Sequence, residues 1–395
     1  MVFPPPPVSS IDWKKIGFES KPFNGHVESR YTVSTGSWSA PQLVADPFLR
    51  VHGLAPAFNY GQQAYEGMKA FRDPSGNINI FRPSDHARRM NHSSSFVSIP
   101  SMPEAHFKAC VQLAVGANAA FVPPHDADAA LYIRPVVFGA SAHLPLTPPQ
   151  EHLFAVYVQP LNAYHGSAAA DALVLEDFDR TAPKGTGAAK VGGNYAPVIR
   201  WSEKAKKEGF GITLHLDSRT NTEIDEFSTS GFIGVQARPD DDARGGGGYR
   251  LVVPDSKNVI RSVTSVSCIE LARSFGWDVE TRSIKYEELA SFDEVIAVGT
   301  AAALVPIRSI TRQSLDQKFV YQDGSSTAGP CCQKLLQALQ DIQRGVSHDA
   351  FGWREQVLPP DASINDEDDL GYVSGIYGVL EGMWQALPKV FSFGR

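Results

Sequence analysis

The sequence predicts an α/β protein built from two domains. The chain has 395 residues, enough for two or three domains at about 150 residues each. Apolar runs typical of buried strands alternate with helical segments, and a glycine- and alanine-rich stretch lies near the middle of the chain. We therefore expect an irregular proline-rich segment at 1–25, a small α/β domain at 26–161, a linker at 162–176, a large domain at 177–358 and a C-terminal extension of unknown role at 359–395.

Strands and one helix are predicted in the first domain from the spacing of apolar and turn residues. A turn at 74–76 separates two runs and predicts a hairpin between 66–72 and 77–81. Ser84 is a residue type typical of an N-cap, so a helix is expected over 84–96. Strongly apolar runs predict buried strands at 129–138 and 153–158.

The second domain shows a more regular alternation of strands and helices. Gly209 and Gly276 are typical helix stops, and residues 237–249 form a polar, glycine-rich loop. Helices are predicted at 195–208, 266–275 and 331–344, and strands at 211–217, 277–284 and 293–298.

Composition excludes several classes of function. A net charge of −7 without a long basic run argues against broad nucleic-acid binding. No apolar run reaches the length of about 18 residues that a membrane span needs. The N-terminal residues resemble neither a secretory signal nor a transit peptide. The cysteines contain no C-x-x-C pair for a metal or redox centre, so we expect a reducing, cytoplasmic compartment and no metal site; they are Cys110, Cys268, Cys331 and Cys332.

The segment PKGTGAAKVGGNY at 183–195 is the most informative in the chain. Lys190 lies between small residues, and Gly192 and Gly193 permit close approach to the backbone. A partly desolvated lysine is a nucleophile for carbonyl groups. Taken alone, however, the segment also fits a flexible glycine loop with a solvated lysine.

Two further segments are suited to binding a phosphate. Val263 and Thr264 precede a predicted helix, whose first backbone N–H groups attract anions. A turn of small residues at 299–302 follows the strand at 293–298. Each segment by itself also fits ordinary capping of an element.

These residues together resemble the branched-chain amino acid aminotransferases, which are pyridoxal-phosphate enzymes of the fold-type IV class. KVGGNYA at 190–196 resembles their cofactor-lysine motif, and the resemblance covers residues from about 20 to about 358. It implies two α/β domains with the active site between them, a cofactor bound mainly by the large domain, and a homodimer. The other motifs occur in the same order: NYGQQAYEGMKAFR at 59–72, FRPSDHARRM at 81–90, YIRP at 132–135, DEVIAVGTAA at 293–302 and GPCCQKLLQALQDIQRG at 329–345.

The resemblance implies roles for individual residues. Lys190 would form a carbon–nitrogen double bond with the cofactor and shuttle the substrate proton, Tyr195 would bind the 3′-oxygen, and Glu226 would face the pyridine nitrogen. The phosphate would be bound by Arg89, Val263, Thr264 and Thr300. Substrate would be bound by the aromatic side chains of Tyr60, Tyr132 and Tyr164, by Arg134 for a second carboxylate, and by the backbone of Ala301 and Ala302.

The chain departs from the family pattern at four places. Gly231 stands where the family usually has asparagine, and Ser265 stands where it tends to have arginine. The loop at 237–249 is longer than usual, and residues 359–395 extend past the usual end. The tail and Gly231 leave open a non-catalytic cofactor-binding scaffold.

The expected activity is reversible ping-pong transamination between branched-chain L-amino acids and 2-oxoglutarate. A pocket discriminates aliphatic side chains by only about 1–3 kcal/mol per methylene, so the preferred amino acid stays open. Service to primary metabolism and service to a secondary-metabolite pathway fit equally well. A transaminase of D-amino acids or amines on the same fold is the alternative within the enzyme class, against which Tyr132 and Arg134 argue.

Overall fold

A computed structural model describes residues 2–17, 19, 21, 23–162, 168–238 and 248–360. Two sheets, each of nine strands within these residues, make up its framework. The strand pairs of the first sheet are antiparallel, and the second sheet is mixed. The strands of the first sheet are β1 (His26–Thr32), β2 (Ser37–Trp38), β3 (Gln42–Val44), β4 (Gln63–Tyr65), β5 (Met68–Arg72), β6 (Ile78–Phe81), β7 (Ala129–Gly139) and β8 (Glu151–Asn162). Those of the second are β9 (Ala170–Val174), β10 (Ile212–Leu216), β11 (Ile224–Phe227), β12 (Gly231–Arg238), β13 (Gly248–Pro254), β14 (Asp278–Arg282), β15 (Glu294–Gly299), β16 (Ala303–Arg312) and β17 (Gln317–Val320); β18 (Arg354–Gln356) returns to the first sheet.

Helices cover both sheets. The chain-ordered helices are α1 (Pro56–Tyr60), α2 (Pro83–Phe96), α3 (Glu104–Ala117), α4 (Gly192–Tyr195), α5 (Ile199–Lys207), α6 (Val263–Ser274) and α7 (Pro330–Gln343). Met90 and Phe107, from α2 and α3, belong to the core of the first sheet. Leu271 and Leu335, from α6 and α7, pack into the core of the second. The apolar faces of these helices therefore hold them against their sheets.

Most of the predicted elements are confirmed. The hairpin forms between β5 and β6 with antiparallel pairing, and the strands predicted at 129–138 and 153–158 lie within β7 and β8. Gly209 and Gly276 end α5 and α6 with positive φ values of 93° and 75°. The helix predicted at 195–208 is α5 preceded by one turn of 3₁₀ helix at 196–198.

Some boundaries differ from the prediction. Ser84 is not an N-cap, because α2 begins at Pro83, whose fixed φ suits the first turn. Residues 170–174, predicted as linker, form β9, which pairs in parallel with β10 and β16 inside the second sheet. Residues 354–356, predicted in the large domain, form β18 and pair with β6 of the first sheet. Local composition could not reveal these pairings, since their partners are distant in sequence.

Candidate active site

Lys190 lies just before α4, and its backbone is held by the first sheet and its helices. The backbone N–H of Lys190 donates to Ser93 Oγ at 2.9 Å. The carbonyl of Lys190 accepts from the backbone N–H of Tyr65 at 3.1 Å. Asn194 stabilises the loop that carries Lys190, because its Nδ2 donates to the carbonyl of Thr186 at 2.6 Å. The lysine is therefore fixed where the two sheets meet.

The side chain of Lys190 lies in an aromatic setting. Its Nζ donates to Tyr195 Oη at 3.1 Å and lies 4.6 Å from the ring centre of Tyr65. Burial by itself raises the pKa of Tyr195, but the charges of Lys190 and Arg180 more than offset burial, so the pKa lies below its ordinary value. The Tyr195 hydroxyl therefore ionises more readily than an ordinary phenol, and it lies beside the amine of Lys190.

Glu226 and Arg180 form a buried ion pair next to this amine. Glu226 on β11 is 4% exposed and Arg180 is 5% exposed, and Arg180 Nη1 donates to Glu226 Oε1. Burial raises the pKa of Glu226 to about 7, although Arg180 opposes the shift. The Nε of Arg180 is buried and has no hydrogen-bond partner among the residues that the structure describes. Sequence reasoning missed Arg180, because an arginine in DFDRTAP belongs to no pattern there.

Arg89, on α2, is held by a second buried carboxylate. Its Nε and Nη2 donate to the two oxygens of Glu66 at 2.7 and 2.8 Å, and Nη1 donates to the carbonyl of Arg261 at 3.1 Å. His86 Nδ1 hydrogen-bonds to Glu66 at 2.7 Å. Burial would raise the pKa of Glu66, but Arg89 and His86 outweigh it and the pKa is lowered. Glu66 was also missed, since nothing local links it to Arg89.

The N-terminus of α6 lies at the same place. Val263 and Thr264 are its first residues, and the N-cap Ser262 accepts the N–H of Ser265 on its Oγ at 3.1 Å. The first turn of a helix presents unpaired N–H groups and the positive end of the helix dipole. A compact anion next to Ser262 would therefore be stabilised.

Gly231 and Ser265, two of the four departures noted in the sequence, lie side by side. A Cβ added at Gly231 would be 2.8 Å from Ser265 Oγ and 3.3 Å from Ser262 Cβ. Real Cβ atoms do not approach that closely, so no larger side chain fits at 231 unless Ser265 moves. Gly231 and Ser265 are thus a matched pair in this chain.

These groups surround one cavity. Seven of the residues to which the sequence analysis assigned a role line it: Arg89, Tyr132, Lys190, Tyr195, Glu226, Thr300 and Ala301. Residues that line it but were not named in the sequence analysis include Gly67, Arg180, Thr229, Ser230 and Ser262.

Tyr132 and Arg134 belong to one side of this cavity. Arg134 Nη2 donates to Tyr132 Oη at 3.0 Å, and its guanidinium carbon lies 5.0 Å from the ring centre of Tyr65. A Cβ at Gly67 would lie only 2.0 Å from Tyr132 Oη, so a larger residue at this position would displace the Tyr132 side chain. Arg134 is itself exposed and reaches the cavity through Tyr132.

Other predicted residues lie elsewhere. Tyr60, at the end of α1, is 46% exposed and donates its hydroxyl to the carbonyl of Leu144, away from the cavity wall. Val263, Thr264 and Ala302 adjoin lining residues without lining the cavity themselves. Tyr164 lies outside the described residues.

Two negative findings apply to the described part of the chain. No group of three or more His, Cys, Asp or Glu side chains within it is arranged to hold a metal ion. Its helices include none with the length and apolar character needed to cross a bilayer.

Comparison with known proteins establishes the family. The sequence profile described as amino-transferase class IV matches residues 63–310, more than half of the chain. Aminotransferase poxL of Penicillium oxalicum is 56% identical over 360 residues, which cover 91% of this chain and 96% of the relative. Branched-chain amino acid aminotransferase gloG of Glarea lozoyensis is 48% identical over 361 residues, covering 91% and 99%. The chain belongs to the class IV aminotransferases.

A solved structure confirms the fold. The branched-chain amino acid aminotransferase of Escherichia coli superposes with a TM-score of 0.68 at 24% identity, covering 85% of this chain and all of that one. The protein therefore has the fold-type IV architecture, and the cofactor of this family is pyridoxal 5′-phosphate.

Proposed function

We propose that this protein transfers the amino group between branched-chain or related aliphatic L-amino acids and 2-oxoglutarate by a ping-pong mechanism. The observation that carries the proposal is the amine of Lys190, 3.1 Å from Tyr195 Oη in a cavity that also contains Glu226, Arg180 and Arg89. The name of the Glarea lozoyensis relative supports the branched-chain substrate class.

The donor set of the cavity is complementary to pyridoxal 5′-phosphate. The amine of Lys190 suits an aldehyde, Tyr195 suits the 3′-oxygen, and the carboxylate of Glu226 suits a protonated pyridine nitrogen. The buried Nε of Arg180, which lacks a partner within the described part of the chain, adds a donor to the same wall. The phosphate would be bound by Arg89, the turn at Thr300 and the N-terminus of α6, with Val263 and Thr264 as its first residues.

Each residue then has a chemical task. When bound, the cofactor supplies an electron sink for the electron pair left at the substrate Cα. Lys190 Nζ removes the proton from the substrate Cα. It would then deliver this proton to the cofactor carbon that takes over the amino group. Tyr195 stabilises charge beside that amine. Glu226 keeps the ring nitrogen protonated, and Arg180 favours the ionised form of Glu226.

The substrate side is formed by aromatic and backbone groups. Tyr132 and Tyr65 provide a wall for an aliphatic side chain. Arg134, held by Tyr132 at 3.0 Å, is placed for the second carboxylate of glutamate or 2-oxoglutarate. The backbone of Ala301 and Ala302 would bind the carboxylate common to every substrate. These assignments explain how one site accepts an apolar and an acidic substrate in turn.

We infer that a second copy of the chain completes this side. Leu54, Phe58, Tyr60, Leu144 and Leu146 are between 44% and 83% exposed and lie around α1 and the loop that follows β7. Backbone and side-chain hydrogen bonds join α1 to that loop, between Leu54 and His143 and between Tyr60 and Leu144. A contiguous exposed apolar surface of this kind marks an interaction site. In a homodimer, Tyr60 of the partner subunit would reach the substrate.

A panel of amino donors and oxo-acid acceptors tests the activity. Formation of glutamate from 2-oxoglutarate should be fastest with leucine, isoleucine, valine or a close aliphatic analogue. Turnover of D-alanine or a simple amine in their place would indicate the other transaminase class. Failure of every donor to convert the bound cofactor to its amine form would indicate a scaffold and contradict the proposal.

Light scattering combined with gel filtration tests the dimer. Leu146→Asp places a charge in the exposed apolar surface and should give a monomer that binds cofactor but uses substrate poorly. An exposed polar position, Gln317→Asp, provides a matched control. A fully active wild-type monomer would contradict the role of the partner's Tyr60.

A further inference from the structure

A lysine is buried at the junction of the two sheets. Lys69, on β5 of the first sheet, is 4% exposed. Its Nζ donates to the backbone carbonyl of Ala301 at 3.0 Å, across 232 residues of sequence. Ala301 lines the active-site cavity. The amine of Lys69 therefore contacts a turn, and the same turn contributes Ala301 to the cavity wall.

The pairing of β5 with β7 determines which face of the sheet carries the side chain of Lys69. Lys69 is directly opposite Tyr132 in the antiparallel pair of β5 and β7, so both side chains project from the same face of the sheet. A Cβ added at Gly67, two residues before Lys69, would overlap the Tyr132 hydroxyl. The face that carries Lys69 is thus the face that forms the substrate side of the cavity.

The turn that Lys69 contacts is conformationally strained. Residues 300–302 connect β15 to β16, and Ala303 closes the hairpin with a φ of 56°. A residue with a Cβ disfavours this left-handed conformation, and such residues persist only where surrounding contacts impose them. The hydrogen bond from Lys69 reaches this connection two residues before Ala303.

Keeping a lysine at this position is unfavourable unless its charge is used. Burial lowers the pKa of Lys69 to about 7, while Asp128 opposes the shift and Arg344 adds to it. An apolar side chain of similar length would fill the same space without desolvating a charge. The amine of Lys69 is nevertheless kept as a hydrogen-bond donor one peptide group behind the cavity wall.

We propose that Lys69 is a positioning residue for the carboxylate of the amino-acid and oxo-acid substrates. A trans peptide directs its C=O and N–H to opposite sides. By binding the Ala301 carbonyl, Lys69 holds the N–H of Ala302 turned away from itself and polarises it as a donor to an anion. This role rests on the proposed function, which places the substrate carboxylate at Ala301 and Ala302.

Ligand binding to the holoenzyme tests the role. The probes are 4-methylvalerate, which has a carboxylate and does not react, and 4-methylvaleramide, which has the same carbon chain without a charge. Lys69→Met should weaken binding of the acid by about 10- to 100-fold, as expected for loss of a charged hydrogen-bond donor, and change binding of the amide less than about twofold. Lys69→Arg, which keeps a donor and the charge, should restore much of the affinity for the acid.

Controls separate this role from a general defect. Lys318→Met, at an exposed position on β17, should leave both affinities unchanged. Thermal melting and cofactor absorbance verify that Lys69→Met is folded, and if it is not, the comparison of Lys69→Arg with Lys69→Gln carries the same test. In turnover, KM for both substrates should rise more than kcat falls.

Two results would overturn the proposal. Equal weakening of acid and amide would show a merely structural lysine, and unchanged affinity for the acid would show no role. If the wild type binds neither probe, the proposed aliphatic substrate class fails and this proposal fails with it. A wild type that transaminates leucine and binds the acid, with a Lys69→Met variant that behaves identically, overturns the role of Lys69 alone.

Discussion

The two sides of the cavity are built differently. On the side assigned to the cofactor, Glu66, Arg180 and Glu226 are buried and Arg89 is half-buried. These charges are matched within the chain: Arg180 binds Glu226, and Arg89 binds Glu66 through two hydrogen bonds. On the side assigned to the substrate, Arg134 is exposed. Tyr60, which we assign to the substrate side of the other subunit's cavity, is exposed as well.

The contrast follows from the cost of desolvation. A charge taken out of water needs a partner before any ligand arrives, so the cofactor side must be complete in a single chain. Apolar and aromatic residues that bind a variable side chain have no such requirement. They can stay exposed until a second copy covers them. Variants on the two sides should therefore fail in different ways.

The largest effect should follow from removing the amine itself. Lys190→Ala should lower transamination by at least ~10⁴-fold, because no other group at this place can carry the substrate proton. Initial rates with leucine and 2-oxoglutarate measure it. Borohydride reduction of the wild type should label Lys190, and exposed Lys184→Ala is the matched control. A label on Lys184 would refute the assignment.

A smaller loss should follow from breaking the buried ion pair. Arg180→Met leaves Glu226 without its partner and should lower the free energy of unfolding by about 3–5 kcal/mol. Urea unfolding of the cofactor-free protein measures it, with exposed Arg200→Met as control. An unchanged unfolding midpoint would show that the pair contributes nothing to the fold.

The same pair predicts a dependence on pH. Burial raises the pKa of Glu226 to about 7 from 4.5, so the folded cofactor-free protein binds more protons than the unfolded chain between these values. Its free energy of unfolding should therefore fall as pH rises through this window. Arg180→Met should raise the pKa of Glu226 further, so the free energy of unfolding should go on falling to a higher pH. The acid limb of the pH–activity profile should also shift to higher pH. A profile identical to wild type would contradict the coupling.

On the substrate side, Gly67→Ala should damage binding and spare the cofactor. The new Cβ would displace Tyr132 and, with it, the hydrogen bond from Arg134. We expect KM for both substrates to rise by about tenfold, within the range of about 1–3 kcal/mol for overpacking, with unchanged cofactor affinity. Gly53→Ala, where a Cβ meets nothing within 4 Å, is the control. Equal loss of cofactor affinity would show that the two sides are not separable.

The smallest effect concerns the matched pair at the cofactor side. Gly231→Asn introduces the residue usual in the family and should destabilise by about 1–2 kcal/mol, because it overlaps Ser265. Adding Ser265→Gly should recover much of this loss, since contacting sites are not additive. Differential scanning calorimetry of Gly231→Asn, Ser265→Gly and the double variant measures the coupling free energy between the two positions. Strict additivity would show that the two departures are independent.

Much of the fold and of the site could be predicted from the chain alone. Lys190 and Tyr195 are five residues apart, so their proximity is local and a motif shows it. The helices after Pro83, Val263 and Pro330 follow from apolar spacing and capping residues. Elements whose hydrogen bonds join residues only a few positions apart can be predicted from the local sequence pattern.

Only the tertiary structure decided which distant groups meet. Glu66 finds Arg89, Arg180 finds Glu226, and Lys69 finds Ala301 across 232 residues, and no local pattern records these pairs. The strand at 170–174 joined the second sheet for the same reason, because a parallel pairing depends on a remote partner. The cofactor-lysine motif in the sequence predicted Lys190 as the reactive amine, and long-range packing determined which charges surround it, since electrostatic partnership depends on distance in space.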